Sequence, residues 1–207
     1  MPQSPLTRQS LLVLAVSQPL LFSSAQIQAA DDDRVVAENG AQVSVSDRGI
    51  ETTGYAMFGL AAETGGKVDA HNMSLVTSGV YSFGVFVGGQ DSKFNSTGDL
   101  AITTWGEHAL GMYAYDYAKA DVEKAHVVTM GDGAFGIQLL RYSQFNLGSA
   151  SITTKGDGSH GIMNWLRSEF KGADLAISTE GNGAFGVRAL SEASVNLSRS
   201  SINTYGD

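Results

Sequence analysis

The sequence predicts an all-β chain, a right-handed parallel β-helix of six to seven coils of about 25 residues each. Three observations carry that prediction. Gly54, Gly79, Gly106, Gly131, Gly156, Gly181 and Gly206 recur at steps of 25 residues, with one step of 27. Two residues before each stands a threonine (Thr52, Thr77, Thr104, Thr129, Thr154, Thr179 and Thr204), and four before stands an aliphatic (Ile50, Leu75, Ile102, Val127, Ile152, Ile177 and Ile202). Five residues after comes a second glycine, Gly59, Gly84, Gly111, Gly136, Gly161 or Gly186, followed by another aliphatic such as Ile137 or Ile162.

The aliphatic and the threonine share a parity, so on a strand both point to one face, while the positions between them vary freely. That is the pattern of a strand buried on one side, and its β-branched residues fit a pleated surface. Upstream, a second same-parity pair recurs as Val43/Val45, Val68/Ala70, Phe145/Leu147 and Val195/Leu197. A third short apolar run follows the second glycine, as in Gly136-Ile137-Gln138-Leu139. Three short strands per unit leave no room for a helix, and the unit is too short for a propeller blade. A parallel β-helix remains, its coils stacked at the strand spacing of about 4.8 Å, which makes a rod core about 30 Å long. Right-handed winding follows from the handedness of parallel crossovers.

Stacking would turn each repeated residue into a ladder. The Ile50-like positions should run through the core, and the Thr52-like hydroxyls should bond turn carbonyls near a corner. The Gly54-like and Gly59-like positions should supply corner dihedrals closed to other residues, with Phe58, Phe83, Phe135 and Phe185 lining the corner. The two extra residues between Gly84 and Ile102 should bulge from the surface.

The repeat leaves no second core in the 207 residues. A net charge of −8 without a basic stripe argues against nucleic acid as a partner. The chain has no cysteine, hence no disulfide and no thiolate metal site. Residues 1–30 differ from the rest. Arg8 precedes an apolar run from Leu11 to Phe22, followed by small residues and then Asp31-Asp32-Asp33. This is the layout of a secretory signal peptide, with cleavage expected after Ala25, Ala29 or Ala30, and the run is too short to span a bilayer. Residues 31–207 then form the β-helical region, expected to be truncated within a repeat, because Tyr205-Gly206-Asp207 stands in mid-register.

A signal peptide followed by units such as Ile152-Thr153-Thr154-Lys155-Gly156-Asp157-Gly158-Ser159-His160-Gly161-Ile162 resembles the passenger region of pertactin-like bacterial autotransporters, over about residues 40–207. The resemblance implies export from a Gram-negative cell, passage across the outer membrane with a C-terminal β-barrel that this sequence does not include, and roles in adhesion, cell aggregation or virulence. With the barrel the location would be the cell surface or medium, and without it the periplasm.

Candidate chemistry is sparse. Asp157, Ser159 and His160 suggest a hydrolase, but Ser159 fills the slot of Ala134 and Ala184, and His160 that of Phe135 and Phe185, so they read as substitutions in a structural corner. The histidines His71, His108, His126 and His160 have no metal-binding spacing. Asp132, Asp157 and Asn182 share one slot in successive coils, either as good turn residues or as a column that a cation such as calcium bridges. No cofactor is expected. Tyr113, Tyr115 and Tyr117 alternate in one coil, with Trp105 at an outward position and Trp165 two coils on. They suggest a sugar- or protein-binding strip, with part of the cluster expected in the core. The function expected is a non-enzymatic surface or adhesion module, with host-cell, glycan or self contacts. The alternatives are a β-helical polysaccharide-degrading enzyme and a non-functional fragment.

Overall fold

The structure, a computed structural model, describes residues 33–207. The expected leader at residues 1–30, with its cleavage positions Ala25, Ala29 and Ala30, lies outside the described residues. Within them every regular element is a strand, and no helix is long and apolar enough to cross a membrane.

Seven short strands form one sheet: β1 (Val35–Ala37), β3 (Phe58–Glu63), β5 (Phe83–Gly88), β7 (Met112–Tyr115), β9 (Ile137–Leu140), β11 (Ile162–Trp165) and β14 (Val187–Leu190). The facing sheet holds the long strands β2 (Gln42–Thr52), β4 (Lys67–Thr77), β6 (Lys93–Thr104), β8 (Lys119–Thr129) and β10 (Gln144–Thr154). It continues as the split strands β12 (Glu169–Ala173) with β13 (Leu175–Thr179), and β15 (Ser194–Ser198) with β16 (Ser201–Thr204). Every pairing is parallel, and each strand pairs with its counterpart in the next coil. The chain is a parallel β-solenoid of about seven coils.

The three expected strands per coil are three inward-facing segments on only two ladders. In β4, Val68 and Ala70 are buried, then Met73, Leu75 and Thr77, with His71 and Asn72 both exposed between them. Two consecutive outward residues shift the alternation by one, so the strand turns a corner while its hydrogen bonds continue. A positive φ accompanies the shift at Asp47, Asn72, Gly98, Asp174 and Arg199. At the last two of these the long strand splits.

The ladders run in register. Ile50 pairs with Leu75, Leu75 with Ile102, Ile102 with Val127, and so on to Ile177 and Ile202. Phe145 stacks on Phe170 at 5.8 Å, filling the wider part of the core. Burying each such side chain stabilises the fold by roughly 1.5–3 kcal/mol. The threonine hydroxyls do reach turn carbonyls in three coils: Thr104 donates to Ala109 O at 2.7 Å, Thr129 to Ala134 O at 2.6 Å, and Thr154 to Ser159 O at 2.7 Å. Thr52, Thr77 and Thr179 are buried with no partner for the hydroxyl.

The corner glycines have a different cause from the one expected. None of the Gly54-like or Gly59-like residues has a positive φ. Instead, a Cβ on Gly79, Gly106, Gly131, Gly156, Gly181 or Gly206 would overlap the carbonyl oxygen of the glycine one coil earlier. A Cβ on Gly84, Gly111, Gly136, Gly161 or Gly186 would strike the branched side chain of the core ladder, Ile152 in the case of Gly136. The glycines permit close approach between coils and across the core.

The two extra residues are absorbed singly. Glu63 pairs with Gly88, 25 residues on, Lys67 with Lys93, 26 on, and Met73 with Leu100, 27 on. One residue therefore enters the turn between β5 and β6, and the other forms a bulge at Gly98, so no single surface loop bulges out.

Candidate functional site

Along the short sheet Leu60, Val85, Met112, Ile137 and Ile162 point inward, so the residues between them face out. One outward column pairs Ala61 with Phe86, Phe86 with Tyr113, Tyr113 with Gln138, and Gln138 with Met163. A second pairs Gly88 with Tyr115 and Tyr115 with Leu140. Aromatic rings gather at the centre of this face. Phe86 lies 4.8 Å from Phe58 and 5.6 Å from Tyr113, and Phe83 lies 5.5 Å from Phe58 and 5.4 Å from Tyr113. Tyr113 and Tyr115 are 6.0 Å apart, and the Arg141 guanidinium sits 5.4 Å over the Tyr115 ring. Burial among these rings, helped by Tyr115 and opposed by Arg141, pushes the Tyr113 phenol up to about 12. The Tyr113 phenol therefore stays a neutral donor near neutral pH, on a broad and half-buried aromatic platform.

The five aromatics singled out by sequence do not form one strip. Tyr113 and Tyr115 are on the platform, and neither is in the core, because Met112 and Ala114 take the inward positions of β7. The expectation that part of the tyrosine cluster is interior is thus corrected. Tyr117 stands past the strand end, with φ 65°, and stacks on Tyr142 at 4.9 Å. That corner continues to Arg167, whose guanidinium donates to the Tyr142 hydroxyl at 3.3 Å and to both carboxylate oxygens of Glu192. Trp165 shares the outward face of the short sheet farther along and donates to Ser191 Oγ at 2.8 Å. Trp105 is 55% exposed just past the end of β6, outside both sheets and away from the platform's ring contacts. Sequence reasoning assigned Phe58 and Phe83 to a corner and not to this face, and missed Phe86. The signal for Phe86 is its position 27 residues before Tyr113, the one irregular step in the repeat.

Ser159 and His160 serve the corner. The Ser159 hydroxyl accepts the Ala134 N–H and donates to Gly131 O, each at 2.9 Å, and is fully buried. His160 stacks on Phe135 at 4.9 Å and accepts the Phe185 N–H at Nδ1. Burial, with Arg188 beside the ring, holds its pKa below the ordinary imidazole value. Asp132 and Asp157 use Oδ1 to accept the backbone N–H of Asp157 and Asn182 respectively, each at 2.8 Å. That is turn and ladder chemistry. Among the described residues no group of three or more His, Asp or Glu side chains stands close enough to hold a metal ion. His108 stacks on Tyr81 at 4.9 Å.

His126 and Ser151 are hydrogen-bonded neighbours on the outer face of the long sheet. The backbone around them is committed to the parallel ladder, which leaves few N–H groups to stabilise an oxyanion. The nearby Lys124 ammonium is held by Asp99 at 2.7 Å.

No known protein family, curated protein or solved structure matches this chain. The class that the structure defines is therefore the fold itself, a parallel β-solenoid with an aromatic outer face.

Proposed function

We propose that this chain is a non-enzymatic adhesive module, an exported β-solenoid of the passenger type found in pertactin-like autotransporters, working at a Gram-negative cell surface. The observation that carries the reading is the platform of Phe58, Phe83, Phe86, Tyr113 and Tyr115 on the outer face of the short sheet. Clustered aromatics on a rigid scaffold give contact area at low entropic cost, which suits recognition of saccharides or of another protein surface. Strands bonded through every coil supply that rigidity and give the platform reach. The leader-like composition of residues 1–30 supports export.

The test is binding of the purified chain to a glycan array, to epithelial cells and to itself, beside a Phe86→Thr, Tyr113→Thr, Tyr115→Thr variant. Threonine keeps the β preference of these outward positions, and a thermal melt checks the fold. Binding by the parent that the variant loses supports the reading. Binding that the variant retains moves the contact off the platform, and absence of binding to all three targets overturns the reading.

A further inference from the structure

The outer surface of the long sheet carries a lateral groove of about 550 Å³ that crosses β6, β8, β10, β12 and β15. It lies on a different sheet from the aromatic platform. One column of exposed side chains runs along it in strict register, Asn95, Asp121, Asn146, Lys171 and Asn196, and continues beyond the groove to the half-buried Asp69. The amides stand on alternate coils, at Asn95, Asn146 and Asn196, with a charged residue between them. Beside this column, Gly148 and Ala173 provide almost no side chain, which deepens the groove at its middle.

The geometry points to a binding site for an extended, neutral, β-1,4-linked polysaccharide lying along the solenoid axis. Two coils span about 9.6 Å at the strand spacing. In a β-1,4-linked chain each sugar is turned over relative to the last, so the same edge returns every second sugar, at nearly that repeat. The alternating amides therefore meet equivalent hydroxyl groups. Asn both donates and accepts, as sugar hydroxyls do. Asp69 accepts from Asn95 Nδ2 at 2.8 Å and Asp121 from Asn146 Nδ2 at 2.6 Å, which fixes the rotamers and leaves each Oδ1 and the second N–H for a ligand.

Charge selects against acidic polymers. Asp121 and Glu123 line the groove, and its one lysine, Lys171, is paired with Glu169 at 2.7 Å. Along β6, β8, β10 and β12 a peptide strand finds no free edge, because each of these strands pairs with the coil on either side.

The test is calorimetric titration of the chain with cellohexaose and chitohexaose, with maltohexaose as the α-linked control and polygalacturonate as the acidic one. The amides from Asn95 to Asn196 span four coil steps, about 19 Å, so affinity should rise steeply from disaccharide to hexasaccharide. Replacing Asn95 and Asn146 together by Thr should weaken binding about tenfold, the net value of one or two hydrogen bonds. Ala173→Gln, at an outward position, should block the groove without touching an amide, and Tyr113→Thr with Tyr115→Thr should leave the affinity unchanged. The inference is overturned if neither β-1,4 hexasaccharide binds saturably, if maltohexaose or polygalacturonate binds as well, or if the aromatic variant rather than the groove variants loses binding.

Discussion

The carboxylate of Asp157 accepts the backbone N–H of Asn182, one coil on, at 2.8 Å, and Asp132 makes the same bond to Asp157. A side chain with a single methylene thus reaches across the coil spacing and joins neighbouring corners. In both carboxylates Oδ1 meets an N–H dipole, which offsets part of the repulsion between the stacked charges.

Asp157→Ala should cost about 1 kcal/mol, the net value of the exposed hydrogen bond that joins it to the Asn182 N–H. Asp157→Asn keeps the acceptor and removes one of two stacked charges, so it should stay within about 0.5 kcal/mol of the parent. Urea denaturation midpoints measure both. Equal losses for Ala and Asn would mean that charge, not the ladder bond, is what the slot requires.

Two glycines a few residues apart separate steric from conformational causes. A Cβ on Gly156 would overlap the Gly131 carbonyl, although its φ is ordinary, while Gly158 has φ +64° and nothing within 4 Å of its Cβ position. Gly156→Ala should force the coils apart and cost about 3 kcal/mol or more. Gly158→Ala should cost about 1–2 kcal/mol, the usual left-handed penalty, and Gly158→Asn less. Thermal melts of the three variants decide the order, and a Gly156→Ala protein as stable as Gly158→Ala would refute the close-approach account.

The repeat was legible because stacking imposes the same demand on every coil. An aliphatic above Ile152 must be matched by one below it, and the register of Val127, Ile152 and Ile177 meets that demand. The reason for the glycines was not legible, because a close approach between Gly131 and Gly156 involves residues of different coils whose separation only the fold sets. The corner inside the long strands was legible as a change of parity from Val68/Ala70 to Leu75/Thr77, but a change of parity does not say whether the hydrogen bonds break there. The aromatic platform was obscured by the single 27-residue step, which sets Phe86 opposite Tyr113 instead of two residues out of line with it. The groove was hidden for a related reason, since Asn95 precedes the Gly98 bulge and reaches the column of Asp121 and Asn146 only once that bulge is placed.

The threonine ladder should divide into two groups. Thr129→Val removes a buried hydroxyl that donates to Ala134 O at 2.6 Å, leaves that carbonyl short of a partner, and should cost about 1–2 kcal/mol. Thr179→Val removes a buried hydroxyl that has no partner, and should be neutral or stabilising by up to about 1 kcal/mol. Equal effects in chemical denaturation would show that the hydroxyls do not matter and that only the branched shape is required.

His160 should make stability depend on pH in the weakly acidic range. Its ring stacks on Phe135 and meets Phe185 edge-on, and its Nδ1 accepts the Phe185 N–H. The ring proton then belongs on Nε2, which faces the Arg188 guanidinium, a group with no acceptor. Burial first, and Arg188 second, therefore lower its pKa below the ordinary value of 6.5. In that case the unfolded chain takes up the proton at a higher pH than the folded one. The contribution is neutral above pH 6.5, and stability falls as pH drops from there towards the depressed folded value, by at most about 1.4 kcal/mol per pH unit for one proton. Carboxylates add their own dependence at lower pH, where Glu63, raised chiefly by burial, works in the opposite direction. His160→Phe isolates the effect, since Phe occupies the same slot at Phe135 and Phe185. Urea midpoints of the parent should fall between pH 7.5 and pH 5.5 while those of His160→Phe hold nearly level. An equal fall in both proteins would assign the acid sensitivity to groups other than the buried imidazole.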